Sequence, residues 1–203
     1  MSPVVYLDVD GVLLDWINPF IAFCREQNFL NEEHCDCIPE AITTYDLRKS
    51  MNTWIKSATF TRAIELFPLS KQWFTMPPMA DIRLLEALKS SGAHLRILSV
   101  CAKQHRTNSL LRLVQHYGAV FSTTLFVDKP EDKKELIDLS VDCGFETYLI
   151  EDNPAAMRMV SERSHAHGKL VMQPYNADYT GTCPVYPDTN SALAATLRQI
   201  VEG

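Results

Sequence analysis

The sequence predicts an α/β fold with a doubly wound, mostly parallel sheet of five strands and a small helical insertion after the first strand. Three observations predict it. The run Val4-Val5-Tyr6-Leu7 is apolar without alternation, as in a strand buried on both faces. After Pro77-Pro78, strand-like runs alternate regularly with helical patterns, which is the βαβ signature. Between these stretches lies a polar, aromatic-dotted segment with no strand pattern.

The elements follow in order. Asp15 to Asn28 is an amphipathic helix, with Trp16, Phe20, Phe23 and Cys24 at helical spacing. Asn31 to Arg62 mixes polar residues, short helical pieces and the aromatics Tyr45, Trp54 and Phe60. Phe67 to Pro78 leads back to the main body. Residues 1–15 and 76–203 therefore form the core, and residues 16–75 a helical subdomain. Asp81 to Ser90 is a helix stopped by Gly92. Leu95 to Val100 is a strand, Lys103 to Tyr117 a helix stopped by Gly118, and Thr124 to Val127 a short strand. Pro130 suits the first turn of a helix that runs to Val141 or Asp142. Thr147 to Ile150 is a strand, Pro154 to Ser164 a helix, and Lys169 to Met172 a last strand. Gln173 to Asn190 reads as a polar loop before a closing helix, Ser191 to Glu202.

Composition narrows the function. At 203 residues and 46% hydrophobic, the chain suffices for one good core plus a small appendage. A net charge of −6 argues against binding a nucleic-acid backbone or an anionic membrane. No apolar run is long enough to span a bilayer, and no signal peptide is visible. Cysteines 24, 35, 37, 101, 143 and 183 are scattered, as free thiols in a reducing cytoplasm would be. His34-Cys35-Asp36-Cys37 lacks the spacing of common zinc knuckles.

The chemistry gathers at strand ends. Asp8 and Asp10 close the first strand, and Gly11 lets the backbone turn away. Ser99 ends the second strand, and Glu151-Asp152 follow a later one. Parallel strands place their carboxyl ends on one edge, so these residues converge. A cluster of hard oxygen ligands selects Mg²⁺, with one or two carboxylates plus a substrate phosphate. One carboxylate is then available to attack phosphorus, and another to carry a proton. Ser99 can hydrogen-bond phosphoryl oxygens, and a lysine near a helix N-terminus can neutralise them.

Asp8-Val9-Asp10-Gly11-Val12-Leu13, then Ser99, a lysine, and Glu151-Asp152 resemble the four motifs of the haloacid dehalogenase (HAD) phosphatase superfamily. The resemblance implies a Rossmann-like HAD core with a helical cap between the first and second motifs. It implies Asp8 as nucleophile and Asp10 as general acid/base, with the Asp10 carbonyl also on Mg²⁺. It implies Ser99 as the phosphate-binding hydroxyl, Asp152 as a metal ligand, and Glu151 as a direct or water-mediated one. For the lysine, Lys133 in the first helical turn is preferred; Lys129 is the main rival, and Lys134 a third candidate. A narrower resemblance, carried by Asp10 to Trp16, Ile42 to Leu47, and Trp73-Phe74 with Pro77-Pro78-Met79, is to the 5'(3')-deoxyribonucleotidase branch. Glu151, Val100-Cys101 and the longer helical segment before the last motif depart from it. The expected substrate is thus a small phosphomonoester, a (deoxy)nucleoside monophosphate by preference, with Val100 and Trp54 beside Ser99 and Lys133 in substrate binding. Other small phosphomonoesters, a nucleic-acid phosphate end, transfer to an acceptor other than water, and a non-catalytic binding protein stay open. A homodimer is admitted but not required.

Overall fold

The computed structural model describes residues 2–30, 42, 55, 57–161 and 165–203. Tyr45, Trp54 and the His34-Cys35-Asp36-Cys37 cluster lie outside the described residues.

Among the described residues, one six-stranded sheet holds the fold together, in the order β3-β2-β1-β4-β5-β6 and parallel throughout. The strands are β1 (Val4–Leu7), β2 (His94–Val100), β3 (Thr123–Val127), β4 (Thr147–Glu151), β5 (Ala166–Val171) and β6 (Val185–Tyr186). The expected count of five missed β6, which is two residues long inside a segment read as a polar loop. Two residues cannot show a period, and this strand is held by its pairing with Leu170 and Val171.

The α-helices among the described residues are α1 (Ile17–Glu26), α2 (Ser57–Leu66), α3 (Lys71–Phe74), α4 (Ile82–Ser90), α5 (Arg106–Tyr117), α6 (Asp132–Asp142), α7 (Pro154–Ser161) and α8 (Thr189–Glu202). Their starts have local causes. The side chains of Asp81 and Asp188 accept from the backbone N–H groups of Arg83 and Ser191, capping α4 and α8. Pro154 opens α7, where a missing N–H costs nothing.

Both faces of the sheet are covered, which is why the central strands read as continuous apolar runs. Val5, Leu7, Ile97 and Ile150 belong to one buried cluster, and Val4, Tyr6, Leu98 and Leu149 to the other. The first cluster continues without a break into Phe20, Phe60, Phe67 and Trp73. Phe67 is its hinge point, with ring centroids 5.2 Å from Phe20 and 5.4 Å from Trp73. The described part of the segment 16–75 therefore shares the main core rather than closing a small core of its own. It also leaves and returns side by side: Asp15 N donates to Pro77 O at 3.0 Å, and Met79 N to Leu13 O at 2.8 Å.

Candidate active site

The site is built on the loop that follows β1. Leu7 ends the strand, and the chain then turns tightly, with the N–H of Leu13 donating to Val9 O at 2.9 Å. Gly11 sits in the left-handed region at φ +81°. A Cβ there would also overlap the Asp152 carboxylate and come within 2.6 Å of the Tyr175 hydroxyl. Three distant side chains hold this loop from outside. Gln173 Nε2 donates to Gly11 O at 2.8 Å, Thr189 Oγ1 to Val12 O at 2.6 Å, and Tyr117 OH to Leu13 O at 2.5 Å. Gly11→Ala is expected to lower unfolding stability by about 2–3 kcal/mol, from the left-handed backbone plus the overlap. Chemical denaturation of the two proteins checks it; an unchanged midpoint would reject the close approach.

Asp8, Glu151 and Asp152 converge. Each offers a ligand oxygen, and these oxygens lie within 4.8 Å of one another, all three residues buried. Lys133, in the first turn of α6, reaches into the group. Its Nζ donates to Asp8 Oδ1 at 2.9 Å and to Glu151 Oε2 at 2.6 Å. Burial alone would lower the Lys133 pKa, but the two carboxylates outweigh it and the ammonium is held firmly charged. Lys129 is exposed, and Lys134 pairs with Asp138 at 2.6 Å in the next turn. Of the three candidate lysines, Lys133 is the one brought to the carboxylates.

The electrostatics of this group are unbalanced. Three buried carboxylates face one lysine. Burial, the Asp8 charge and the Glu151 charge push Asp152 well above the usual carboxylate range. Burial pushes Glu151 up in the same way, joined by Asp8, with Lys133 opposing. Asp152 Oδ2 accepts from the Tyr175 hydroxyl, while Oδ1 is buried with no hydrogen-bond partner among the described residues. A buried oxygen without a partner beside excess negative charge fits a divalent cation, and the all-oxygen donor set fits a hard one. Glu151 Oε1 accepts from the N–H groups of Asp152 and Asn153, both at 3.2 Å, so its oxygens are already engaged.

Asp10 points elsewhere. Its carboxylate is not part of the triple and accepts from Arg112 Nη2 at 3.4 Å. Its side chain is 35% exposed to the cleft. Burial raises its pKa to about 6 against the opposing Arg112 guanidinium, with the Asp8 charge adding to the rise. Such a group exchanges its proton near neutral pH.

A cleft of about 230 Å³ opens beside Asp10. Ser99, Val100 and Cys101 line it from the end of β2; Trp16, Phe67 and Trp73 line it from the inserted segment. Ser99 is buried and Val100 is 37% exposed. Lys103 and Arg106 both pair with Asp128, at 3.6 and 2.6 Å, at the surface start of α5. Of the strand-end residues expected to converge, Asp8, Glu151 and Asp152 come together, joined by Lys133, while Asp10 and Ser99 line the cleft instead. Trp54 falls outside the described residues. Arg112, Tyr175 and Gln173 were missed. An arginine in an amphipathic helix reads as solvated, and Tyr175 and Gln173 sit in the stretch taken for a polar loop.

No family model matches this chain, and no curated protein matches it either. Solved structures do. A haloacid dehalogenase-like hydrolase from Streptococcus pneumoniae superposes with a TM-score of 0.64 at 14% identity, over 98% of each chain. A protein described as a beta-phosphoglucomutase from Thermotoga maritima gives 0.64 at 15%, over 98% of this chain and 99% of that one. CbbY from Rhodobacter sphaeroides, solved with phosphate, gives 0.58 at 15%, over 93% and 95%. The fold is that of the HAD-like hydrolases. Similarity at this level of identity concerns the fold alone; what the chain does rests on its own residues.

Proposed function

We propose that this chain is a Mg²⁺-dependent phosphomonoesterase that works through an aspartyl phosphate on Asp8, and that its substrates are (deoxy)nucleoside monophosphates, making it a 5'-nucleotidase. The observation that carries the reading is the buried group of Asp8, Lys133, Glu151 and Asp152, with one Asp152 oxygen lacking a partner.

The residues divide the work. Asp8 Oδ attacks phosphorus; an acyl-phosphate bond forms as the bond to the leaving oxygen breaks. Asp10 gives that oxygen its proton, then takes one from the water that hydrolyses the aspartyl phosphate. Lys133 fixes the Asp8 carboxylate and offsets charge on the phosphoryl oxygens, to which the Ser99 hydroxyl donates. Asp8, Asp152 and the Asp10 carbonyl would hold Mg²⁺, with Glu151 acting through water. When bound, the ion would neutralise phosphoryl charge.

The cleft favours a compact, flat leaving group. Trp16, half-buried at the cleft, offers ring surface on which a base packs better than a polyol, with the buried Phe67 and Trp73 behind it. The net charge of −6 disfavours a nucleic-acid phosphate end, which needs a basic track.

Two results test this. Phosphate release should fall to background in excess EDTA and return with added Mg²⁺; full activity in EDTA would sink the metal claim. A release screen over nucleotides, sugar phosphates and phosphorylated oligonucleotides should favour nucleoside monophosphates. A flat profile, or a preference for sugar phosphates, would reject the nucleotidase part and leave the phosphatase part standing.

A further inference from the structure

Arg112 has no task in the chemistry above, yet it is buried against the group that moves the proton. It lies on α5 with its side chain 1% exposed. Nη2 donates to Asp10 Oδ1 at 3.4 Å, and Nη1 faces Met76 Sδ at 2.7 Å. The guanidinium carbon sits 3.9 Å from the centroid of the Trp73 ring. Trp73 packs edge-on against Phe67, and Phe67 against Trp16 and Phe20. The arginine is thus set into the aromatic wall shared by the inserted segment and the core.

Burying a guanidinium is costly, and one carboxylate is modest compensation. It borders the cleft, yet at 1% exposure it offers a substrate almost no surface, so direct recognition of an anion does not account for it. What it reaches is one oxygen of Asp10. Stacking on Trp73 fixes the plane of the guanidinium, and the guanidinium fixes the carboxylate. With Oδ1 turned toward Arg112 at 3.4 Å, Oδ2 is left to carry the proton.

We propose that Arg112 is a positioning residue that aims the Asp10 carboxylate at the leaving oxygen, with Trp73 holding it in register. The proposal rests on the reading of Asp10 as general acid. Proton delivery matters most when the leaving oxygen is basic, and little when it leaves readily as an anion. Loss of a purely structural arginine would instead slow all substrates alike.

The test uses that difference. The purified 203-residue chain with Mg²⁺ is assayed on a series from 4-nitrophenyl phosphate, through phenyl phosphate, to alkyl phosphates. The measured quantity is kcat/KM, which reports the steps up to phosphoryl transfer onto Asp8. Arg112→Met is expected to lose about 10²-fold on alkyl phosphates, the scale of a misplaced catalytic group. On 4-nitrophenyl phosphate it should lose at most a few-fold. Arg112→Lys should recover part of the alkyl rate. Trp73→Phe, which keeps the ion pair but weakens the stack, should show the same selectivity at smaller size. If Arg112→Met does not fold, the lysine and Trp73→Phe variants carry the comparison. An equal loss across the series, or no loss, overturns the proposal. A wild-type protein inactive on every member removes the phosphatase reading, and the role of Arg112 with it; a wild type that turns over while the variants show no selectivity removes only the role of Arg112.

Discussion

Asp8→Asn is expected to lower phosphate release from an aryl phosphate by on the order of 10⁴-fold or more, as losing a nucleophile does. Asparagine is close to aspartate in size, and its carbonyl can still accept from Lys133, so the fold should persist and the far-UV circular dichroism should not change. A rate equal to wild type would reject Asp8 as nucleophile. The size of the effect follows from the site: Asp8 is the carboxylate at the end of β1 that adjoins both the lysine and the acidic pair.

Lys133→Ala should be nearly as damaging, and in two ways. Activity should fall by about 10³-fold, because the phosphoryl charge and the Asp8 carboxylate lose their fixed counter-charge. Stability should fall by about 3–5 kcal/mol, the cost of leaving buried charge unpaired. Here Asp8 and Glu151 would both lose a partner, at 2.9 and 2.6 Å. Thermal unfolding with and without Mg²⁺ separates the two effects: the cation should return part of the stability and none of the rate. Lys129→Ala should leave both quantities unchanged, since Lys129 is exposed. The reverse pattern would transfer the role to Lys129.

The parts of this protein that can be read from sequence are those whose environment is uniform. β1, β2 and β4 lie inside the sheet with both faces covered, so their apolar runs announce them. Asp8, Ser99 and Glu151-Asp152 were legible because each interrupts or ends such a run with a polar group. Lys133 was preferred for its place in the first turn of α6, with Lys129, just after β3, kept as its rival. β6 was not, because its two residues are held by tertiary pairing and not by any pattern of their own. Arg112 was hidden for a different reason. Helix periodicity tells which face a residue occupies, but a buried arginine lies on a face expected to be apolar, and only the tertiary fold brings Asp10 and Trp73 to it. Tyr175 and Gln173 act through loop geometry, which has no period at all. Within the inserted segment, the described aromatics proved to share the main core, a long-range outcome that local composition cannot forecast.

The position of β1 in the sheet has a consequence for the order of assembly. It is the first strand of the chain, yet its two neighbours are β2 and β4, and the lysine that pairs with Asp8 stands 125 residues away in sequence. Contacts of such separation make folding slow, because loop-closure entropy is lost before they form. A nascent chain released before Thr147 would carry β1 with one edge bare and Asp8 without the acidic pair. The carboxylates are therefore brought together only as β4 docks, so a fragment ending earlier lacks the acidic group and leaves one edge of β1 unpaired.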